Sequence, residues 1–94
     1  MKLIEIKPST NPDKKYMAVF DVDGHTKTTH FGSKPYQDYT QHRSKVRKML
    51  YLLRHRANEN WNDPTSAGAL SRWLLWNKPT MSASIQDFKR RFNI

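Results

Sequence analysis

The first third of the chain alternates apolar and polar residues, a pattern typical of β-strands. The alternation runs over Lys2–Lys7 and again over Tyr16–Val22, and the second run is rich in β-branched and aromatic residues. Asp23-Gly24 predicts a tight hairpin turn, because type I′ turns need a positive φ that glycine tolerates. His25–Phe31 is predicted to return as the partner strand. Together these segments predict a three-stranded antiparallel β-meander.

After the predicted strands, the apolar positions follow the 3.6-residue period of α-helices. Three helices are predicted, over residues 40–58, 63–77 and 80–92. Their predicted N-caps are Thr40, Asp63 and Thr80, since short polar side chains accept hydrogen bonds from the free N–H groups of a first turn. Gly68 is predicted to let another element approach the second helix closely.

Two of the predicted helices have a clear apolar face. In the first helix that face is predicted to be an underside turned toward the core. Its members are His42, Val46, Met49, Leu50, Leu53 and Ala57. The third helix carries a regular stripe of Met81, Ile85, Phe88 and Phe92. The whole pattern predicts an α+β fold, in which the β-meander of residues 1–33 is followed by three α-helices packed on one of its faces.

Composition limits what else the chain can contain. Ninety-four residues predict a single domain, residues 1–94, whose small core depends on its 11 aromatic side chains. Cysteine is absent, which excludes disulfides and thiolate metal sites and favours an intracellular, reducing compartment. No segment has the length of apolar sequence that a membrane span or a signal peptide needs, so no membrane association is predicted.

Charge is the strongest global feature of the sequence. Seventeen Lys and Arg face eight Asp and Glu, for a net charge of +9. The excess is about +1 in residues 1–33, +5 in residues 34–60 and +3 in residues 61–94. Positive charge concentrated in the helical part favours nucleic acid or an acidic protein as the partner. The competing interpretation is a solvated basic surface.

The predicted nucleic-acid contacts lie on the first and third helices. Arginine and lysine there would neutralise phosphates. The candidates are Arg43, Lys45, Arg47, Lys48, Arg54, Arg56, Gln86, Lys89, Arg90 and Arg91. If the last two helices formed a helix-turn-helix, the face of the third helix that contains Gln86 and Lys89 would enter the major groove, with Ser82, Ser84 and Arg90 also facing outward. An ordinary helical corner is the alternative.

The aromatic and histidine side chains suggest weaker possibilities. Three tryptophans could stack on bases, although core packing is the favoured role, and Trp76 is the one expected to be exposed. The four histidines lack the paired spacing of metal ligands. No catalytic motif is present, so no catalytic residue, metal or cofactor is predicted. His30 is predicted to make a hydrogen bond at the sheet edge.

Several blocks of sequence resemble a known family. The blocks are KTTHFGS, DYTQH, RHR with ENWNDP, SAGALSRWLLWNKPT and SIQDFKRRF, between Lys14 and Phe92. They resemble small basic proteins of unknown function from large double-stranded DNA viruses of algae and protists. The resemblance implies a viral origin, hence a role in host-cell infection or in the virion and a location in the host cell or virion, and it adds no catalytic residues.

The sequence therefore favours a non-catalytic protein that binds nucleic acid, DNA in preference to RNA, mainly through phosphates and without sequence specificity. The second hypothesis is a virion or minor capsid component that binds an acidic protein partner. A metal-dependent nuclease is the third. The sequence leaves the oligomeric state open.

Overall fold

The computed structural model describes all 94 residues and begins with a three-stranded antiparallel sheet. Its strands are β1 (Lys2–Pro8), β2 (Lys14–Val22) and β3 (His25–Ser33), in the spatial order β1-β2-β3. The turn between β2 and β3 places Asp23 and Gly24 at φ values of 53° and 84°, as a type I′ turn requires. The predicted β-meander and its hairpin are confirmed.

A bulge near the start of β1 adjusts which side chains meet the core. The pairing register with β2 shifts between Leu3 and Glu5, which leaves Ile4 as an extra residue. Ile4 is exposed, whereas Leu3 is buried and Ile6 packs against the core. Leu3 and Ile6 are three positions apart and would point to opposite faces of a regular strand. The extra residue between them allows both to contact the same core.

Four short α-helices follow the sheet, which confirms the predicted α+β class. They are α1 (Tyr39–His42), α2 (Lys45–His55), α3 (Ala67–Leu70) and α4 (Met81–Phe92). A π-helical stretch, Ser71–Leu75, directly continues α3. Its last hydrogen bond runs from the Trp76 N–H to the Ser71 carbonyl over 3.1 Å. No helix of the protein is both long and apolar enough to cross a membrane.

The helix predicted over residues 40–58 is interrupted. Arg43 adopts the left-handed conformation, with φ of 55°, and ends α1. Ser44 then begins α2, its hydroxyl accepting a hydrogen bond from a first-turn N–H. The predicted cap at Thr40 is also wrong, because the Asp38 carboxylate accepts the N–H of Thr40 and caps α1.

The helix predicted over residues 63–77 begins later than expected. The Asp63 carboxylate accepts both the N–H and the hydroxyl of Thr65, at 3.0 and 2.8 Å, and so closes a turn rather than capping a helix. Ser66 is the N-cap of α3 instead. The cap predicted at Thr80 is confirmed, since its hydroxyl accepts an N–H in the first turn of α4.

The core lies between the sheet and the segment formed by α3, the π-helical stretch and α4. Its buried members are Leu3, Ala18, Phe20, Phe31, Leu70, Leu74, Leu75 and Phe88. Met81, Ile85 and Phe92 pack against it, so the stripe predicted for α4 is confirmed. The sheet and the π-helical stretch lie close together at Gly32, where φ is 81° and a Cβ would lie 2.9 Å from Leu75 Cδ1.

The helix α2 contributes no buried residue to this core. Val46, Met49, Leu50 and Leu53 are 64%, 56%, 52% and 53% exposed, so the predicted burial of this apolar face is wrong. The helix is turned so that a different face contacts the rest of the protein. That orientation determines where its basic side chains lie.

Candidate nucleic-acid interface

The inward face of α2 is mainly aromatic and basic, with Lys48, Tyr51 and His55 half-buried, and Leu52 is its one half-buried aliphatic side chain. The ring of Tyr51 stacks on Trp76, with 4.3 Å between centroids and 2° between planes, and on His55 at 4.2 Å. Burial raises the pKa of Tyr51, so its hydroxyl remains protonated. Stacking between extended flat rings fixes both the position of a helix and its rotation about its own axis. The Tyr51–Trp76 pair therefore orients α2, and the prediction that Trp76 is exposed is wrong, since its ring is partly covered.

The side chain of Lys48 also belongs to this inward face. Its Nζ donates a hydrogen bond of 2.6 Å to the Asn77 carbonyl and lies 4.9 Å from the centroid of the Tyr39 ring. Burial lowers the pKa of Lys48, and the nearby charge of Arg72 lowers it further. Lys48 thus ties α2 to the chain after the π-helical stretch, whereas the sequence analysis placed it among the nucleic-acid contacts.

The start of α2 is held by His42. Its Nδ1 accepts a 2.9 Å hydrogen bond from the Ser44 N–H, which requires the tautomer that has hydrogen on Nε2. That Nε2 is buried without a hydrogen-bond partner. Burial lowers the pKa of His42, and the charge of Arg47 acts in the same direction. The neutral ring is the form that fits this position.

A cleft of about 630 Å³ separates α2 from the open end of the β2–β3 hairpin and from α3. Four cations line it, and two carboxylates are present as well. The cations are Lys14, Lys15, Arg47 and Arg54, and the acids are Asp38 and Glu59. Because the cations outnumber the acids, the cleft has a net positive charge even when His55 at its edge is neutral.

Both acids of the cleft already have partners. Asp38 forms a 2.6 Å ion pair with Lys15, and these side chains are only 4% and 11% exposed. Glu59 accepts a hydrogen bond from Trp61 Nε1 at 3.0 Å and lies 3.0 Å from His55 Nδ1. The Glu59 side chain also lies 3.2 Å from the point where a Cβ on Gly68 would be, so the close approach predicted at Gly68 is confirmed.

The remaining cleft cations have no carboxylate partner. Lys14 and Arg54 make no ion pair, and Arg47 donates only a 3.3 Å hydrogen bond to the neutral Gln37 side chain. Across the protein, three of the 17 Lys and Arg lie within 4.0 Å of a carboxylate. Tyr36 stands at the cleft with 72% of its surface exposed. The cleft thus combines free cations with an exposed aromatic ring.

The other predicted contact residues lie outside the cleft. Arg43 donates to the Pro79 carbonyl at 3.3 Å, so it links α1 to the turn before α4. Lys45 and Arg56 are exposed at the two ends of α2, on the side away from the cleft. The structure therefore brings Arg47 and Arg54 together at one site and leaves the other basic residues of this region apart from it.

The predicted contacts on α4 form a separate surface. Gln86, Lys89 and Arg90 are exposed, as expected for the face opposite the stripe. Arg91 lies 3.8 Å from the centroid of the Trp73 ring and 3.4 Å from the Asp87 carboxylate. The outward orientation predicted for Ser84 is wrong, because its hydroxyl is buried and accepts the N–H of Lys78.

Sequence reasoning missed Arg72, which lies on the π-helical stretch. Its guanidinium carbon is 4.1 Å from the Trp73 ring and 5.5 Å from the Trp61 ring, and it donates a 2.9 Å hydrogen bond to the Trp76 carbonyl. Burial lowers the pKa of Arg72, and its Nε has no partner. The rings of Trp61 and Trp73 thus already contact cationic side chains of the protein itself.

The one close pair of a histidine and an acid, His55 with Glu59, has no third member that would make it a metal site. No group of three His, Cys, Asp or Glu side chains has the geometry to hold a metal ion. His30, on the edge strand β3, forms a 2.7 Å hydrogen bond with the Ser9 hydroxyl, which confirms its predicted role. The nuclease hypothesis therefore gains no metal site.

Comparison with curated proteins finds no significant match, and comparison with solved structures finds none either. One family model, described as a family of unknown function (DUF5754), matches residues 4–55. That match covers more than half of the chain and extends from β1 to the end of α2. It includes the sheet, the capped start of α2 and both free arginines of the cleft. The chain is therefore a member of the DUF5754 family.

Proposed function

We propose that the protein binds nucleic acid without sequence specificity and that the cleft beside α2 holds the phosphates of a single-stranded segment. One observation carries the proposal. Arg47 and Arg54 line a cleft in which neither has a carboxylate within 4.0 Å and both acids have other partners, so the two guanidinium charges are available to a ligand. Arginine binds phosphate through two parallel hydrogen bonds, which gives it an advantage over lysine at such a site.

The segment around α2 adds to this attraction. Between Tyr39 and Asn58 there are six Lys and Arg and no Asp or Glu. An uninterrupted run of one charge raises the local concentration of a polyanion and accelerates its encounter with the cleft. Phosphate contacts of this kind supply affinity and position but carry no sequence information.

The exposed ring of Tyr36 favours a single strand over a duplex. Unpaired bases have free faces that can stack on an aromatic side chain, whereas the bases of a duplex are already stacked on each other. A cleft of about 630 Å³ also accommodates a segment of single strand better than the width of a duplex. Both features support stacking at the cleft and phosphate contacts along its α2 side.

The proposal is tested by fluorescence anisotropy with labelled oligothymidine of about 15 nucleotides, which is near the upper site size of small single-strand binders. Affinity is measured between about 50 and 200 mM salt. Each phosphate contact on a single strand contributes a slope of about 0.7 in a plot of log K against log salt. Loss of two contacts in Arg47→Ala/Arg54→Ala should lower that slope by about 1.4 and weaken binding about 25-fold at 0.1 M salt.

A charge-matched control separates the cleft from general electrostatics. Lys89→Ala/Arg90→Ala removes two exposed positive charges from α4, and neither side chain lines the cleft. It should retain most of the affinity and most of the slope. Equal losses in the two double variants would show that only net charge matters. Absence of binding to any oligonucleotide at about 50 mM salt would refute the proposal outright.

A second variant tests stacking. Tyr36→Ala should weaken binding to oligothymidine by about 1–3 kcal/mol, the usual contribution of one stacked base, and should leave duplex binding nearly unchanged. Tyr36 makes no side-chain hydrogen bond within the protein and is largely exposed, so its removal should not disturb folding. Equal losses for single strand and duplex would argue against stacking at this ring.

A further inference from the structure

The exposed aliphatic face of α2 is a second surface, which adjoins the cleft at Leu50. We call it the α2 stripe, and its members are Val46, Met49, Leu50 and Leu53. Their spacing of three and four residues places them side by side along one face of the helix. More than half of each side chain is exposed. Soluble monomeric proteins rarely leave a continuous aliphatic strip of this kind in water unless it binds something.

The outward orientation of the stripe follows from how α2 is attached. Lys48 and Tyr51 hold the opposite face through a hydrogen bond to the Asn77 carbonyl and the ring stack on Trp76, and His55 stacks on Tyr51 beside them. With 100° between successive residues of a helix, those three side chains lie roughly opposite the stripe. The stripe therefore cannot turn inward while these contacts exist.

The flanks of the stripe determine the charge of what covers it. At 100° per residue, Arg47 and Arg54 border one side of the stripe and Lys45 and Arg56 border the other. No acid lies between Tyr39 and Asn58 to offset them. A second copy of the chain docked through the same face would oppose four cations to four cations, which disfavours self-association.

We propose that the α2 stripe is the docking site for an acidic amphipathic helix of a partner protein. The partner's apolar side chains would cover the stripe, and its Asp or Glu residues would face the two basic flanks. With Val46 and Leu53 at d positions and Leu50 at an a position of a heptad, Arg47 and Arg54 fall at e and Arg56 at g, the positions that form interhelical ion pairs in a two-helix coiled coil. Since α2 has 11 residues, the contact extends over about 16 Å, or three turns of the partner helix.

The test uses a synthetic peptide of about three heptads, with Leu at the core positions and Glu at the flanking positions. A matched peptide has Lys in place of every Glu, and an oligoglutamate of the same charge lacks Leu. Isothermal titration calorimetry on the full chain should detect binding of the Glu/Leu peptide only. Equal binding of the Lys peptide would show that Glu is not needed, and equal binding of oligoglutamate would show that Leu is not needed. Either result would overturn the proposal.

Variants of the stripe test the site itself. Leu53→Gln keeps the helix propensity and all charges of α2 but removes one aliphatic contact, and it should weaken peptide binding about tenfold or more. Ile4→Thr, which alters an equally exposed side chain on β1, is the control and should bind as the unmodified protein does. An unaffected Leu53→Gln variant would overturn the proposal.

The oligomeric state supplies an independent check. Sedimentation velocity of the protein alone should give a monomer. A dimer that dissociates on the Leu53→Gln substitution would overturn the assignment to an acidic partner, because it would make a second copy the occupant. The same variant leaves Arg47 and Arg54 in place, so loss of peptide binding with retained oligonucleotide binding separates this surface from the cleft.

Discussion

The attachment of α2 depends on one aromatic residue, and Tyr51→Ala tests that dependence. The Tyr51 ring stacks on Trp76 and on His55, with centroid distances of 4.3 and 4.2 Å. Each such pair contributes about 0.5–1.5 kcal/mol beyond the burial of the ring. Adding the apolar surface that the partly buried ring covers, we expect the substitution to cost about 2–4 kcal/mol.

The loss should fall on α2 rather than on the whole domain. No residue of α2 is buried, and the core lies between the sheet and the later helices. The remaining side-chain attachments are the Lys48 contacts with the Asn77 carbonyl and the Tyr39 ring, the pair of His55 with Glu59, and the weak Arg47 contact with Gln37. A local loss of 2–4 kcal/mol corresponds to roughly 30- to 700-fold faster amide exchange in α2, with little change in β2 and β3.

Hydrogen exchange followed by mass spectrometry or NMR measures this difference segment by segment. The control is Leu53→Ala, which shortens a side chain on the same helix that makes no contact with the core. It should leave exchange in α2 within a few-fold of the unmodified protein. If Tyr51→Ala left α2 protected, or if Leu53→Ala released it equally, the ring stack would not be what holds the helix.

Three further predictions concern the sheet and two titrating groups. Gly32→Ala should destabilise the protein by about 2–5 kcal/mol in urea unfolding, because it combines a positive φ with a 2.9 Å clash against Leu75. The control Gly24→Ala has a similar φ but open space around it, and it should cost only about 1–2 kcal/mol. The folded-state pKa of His42 lies below the ordinary 6.5, so its contribution to stability is complete above pH 6.5 and is lost as pH falls through the folded-state value. His42→Gln should therefore flatten the fall in unfolding free energy between about pH 7 and pH 5, measured by urea titration, and an unchanged slope would contradict this reasoning. Hydrogen bonds from Thr65 hold the pKa of Asp63 below 3.8, so Thr65→Val should raise that pKa, and an NMR titration of the carboxyl carbon that shows no rise would contradict the assignment.

Local patterns predicted the parts of the fold that local interactions determine. The period of two and the Asp23-Gly24 turn are sufficient to predict the β2–β3 hairpin, because a two-residue turn fixes which residues pair. The stripe on α4 was also predictable, since its apolar face is the buried one. In both cases the sequence pattern and the tertiary packing favour the same arrangement.

The orientation of α2 could not be predicted in the same way. A helical wheel shows that one face is apolar, but it does not show that this face is covered. The side that docks is chosen by Tyr51 and its partner Trp76, which is 25 residues away in sequence. The break at Arg43 was also unforeseen, because a left-handed arginine has no signature in sequence.

The cleft escaped sequence analysis for a related reason. Lys14 and Tyr36 lie near Arg47 and Arg54 only because the chain after β3 returns across the open end of the hairpin. Charge counting located the basic region but not which cations are free of carboxylates. That distinction depends on pairs such as Lys15 with Asp38, which no periodicity encodes.

The π-helical stretch has a consequence for how α2 is placed. A π-helical turn holds one residue more than the α-helical turn it replaces, so if Ser71–Leu75 were a regular α-helix with the same residues, Trp76 would lie about 100° further around the axis. Trp76 would then point away from Tyr51, and α2 would lose the ring stack that holds it against the rest of the protein. The number of residues in this one turn therefore decides where Trp76 points. Through the ring stack with Tyr51, it also decides which way the exposed face of α2 is turned.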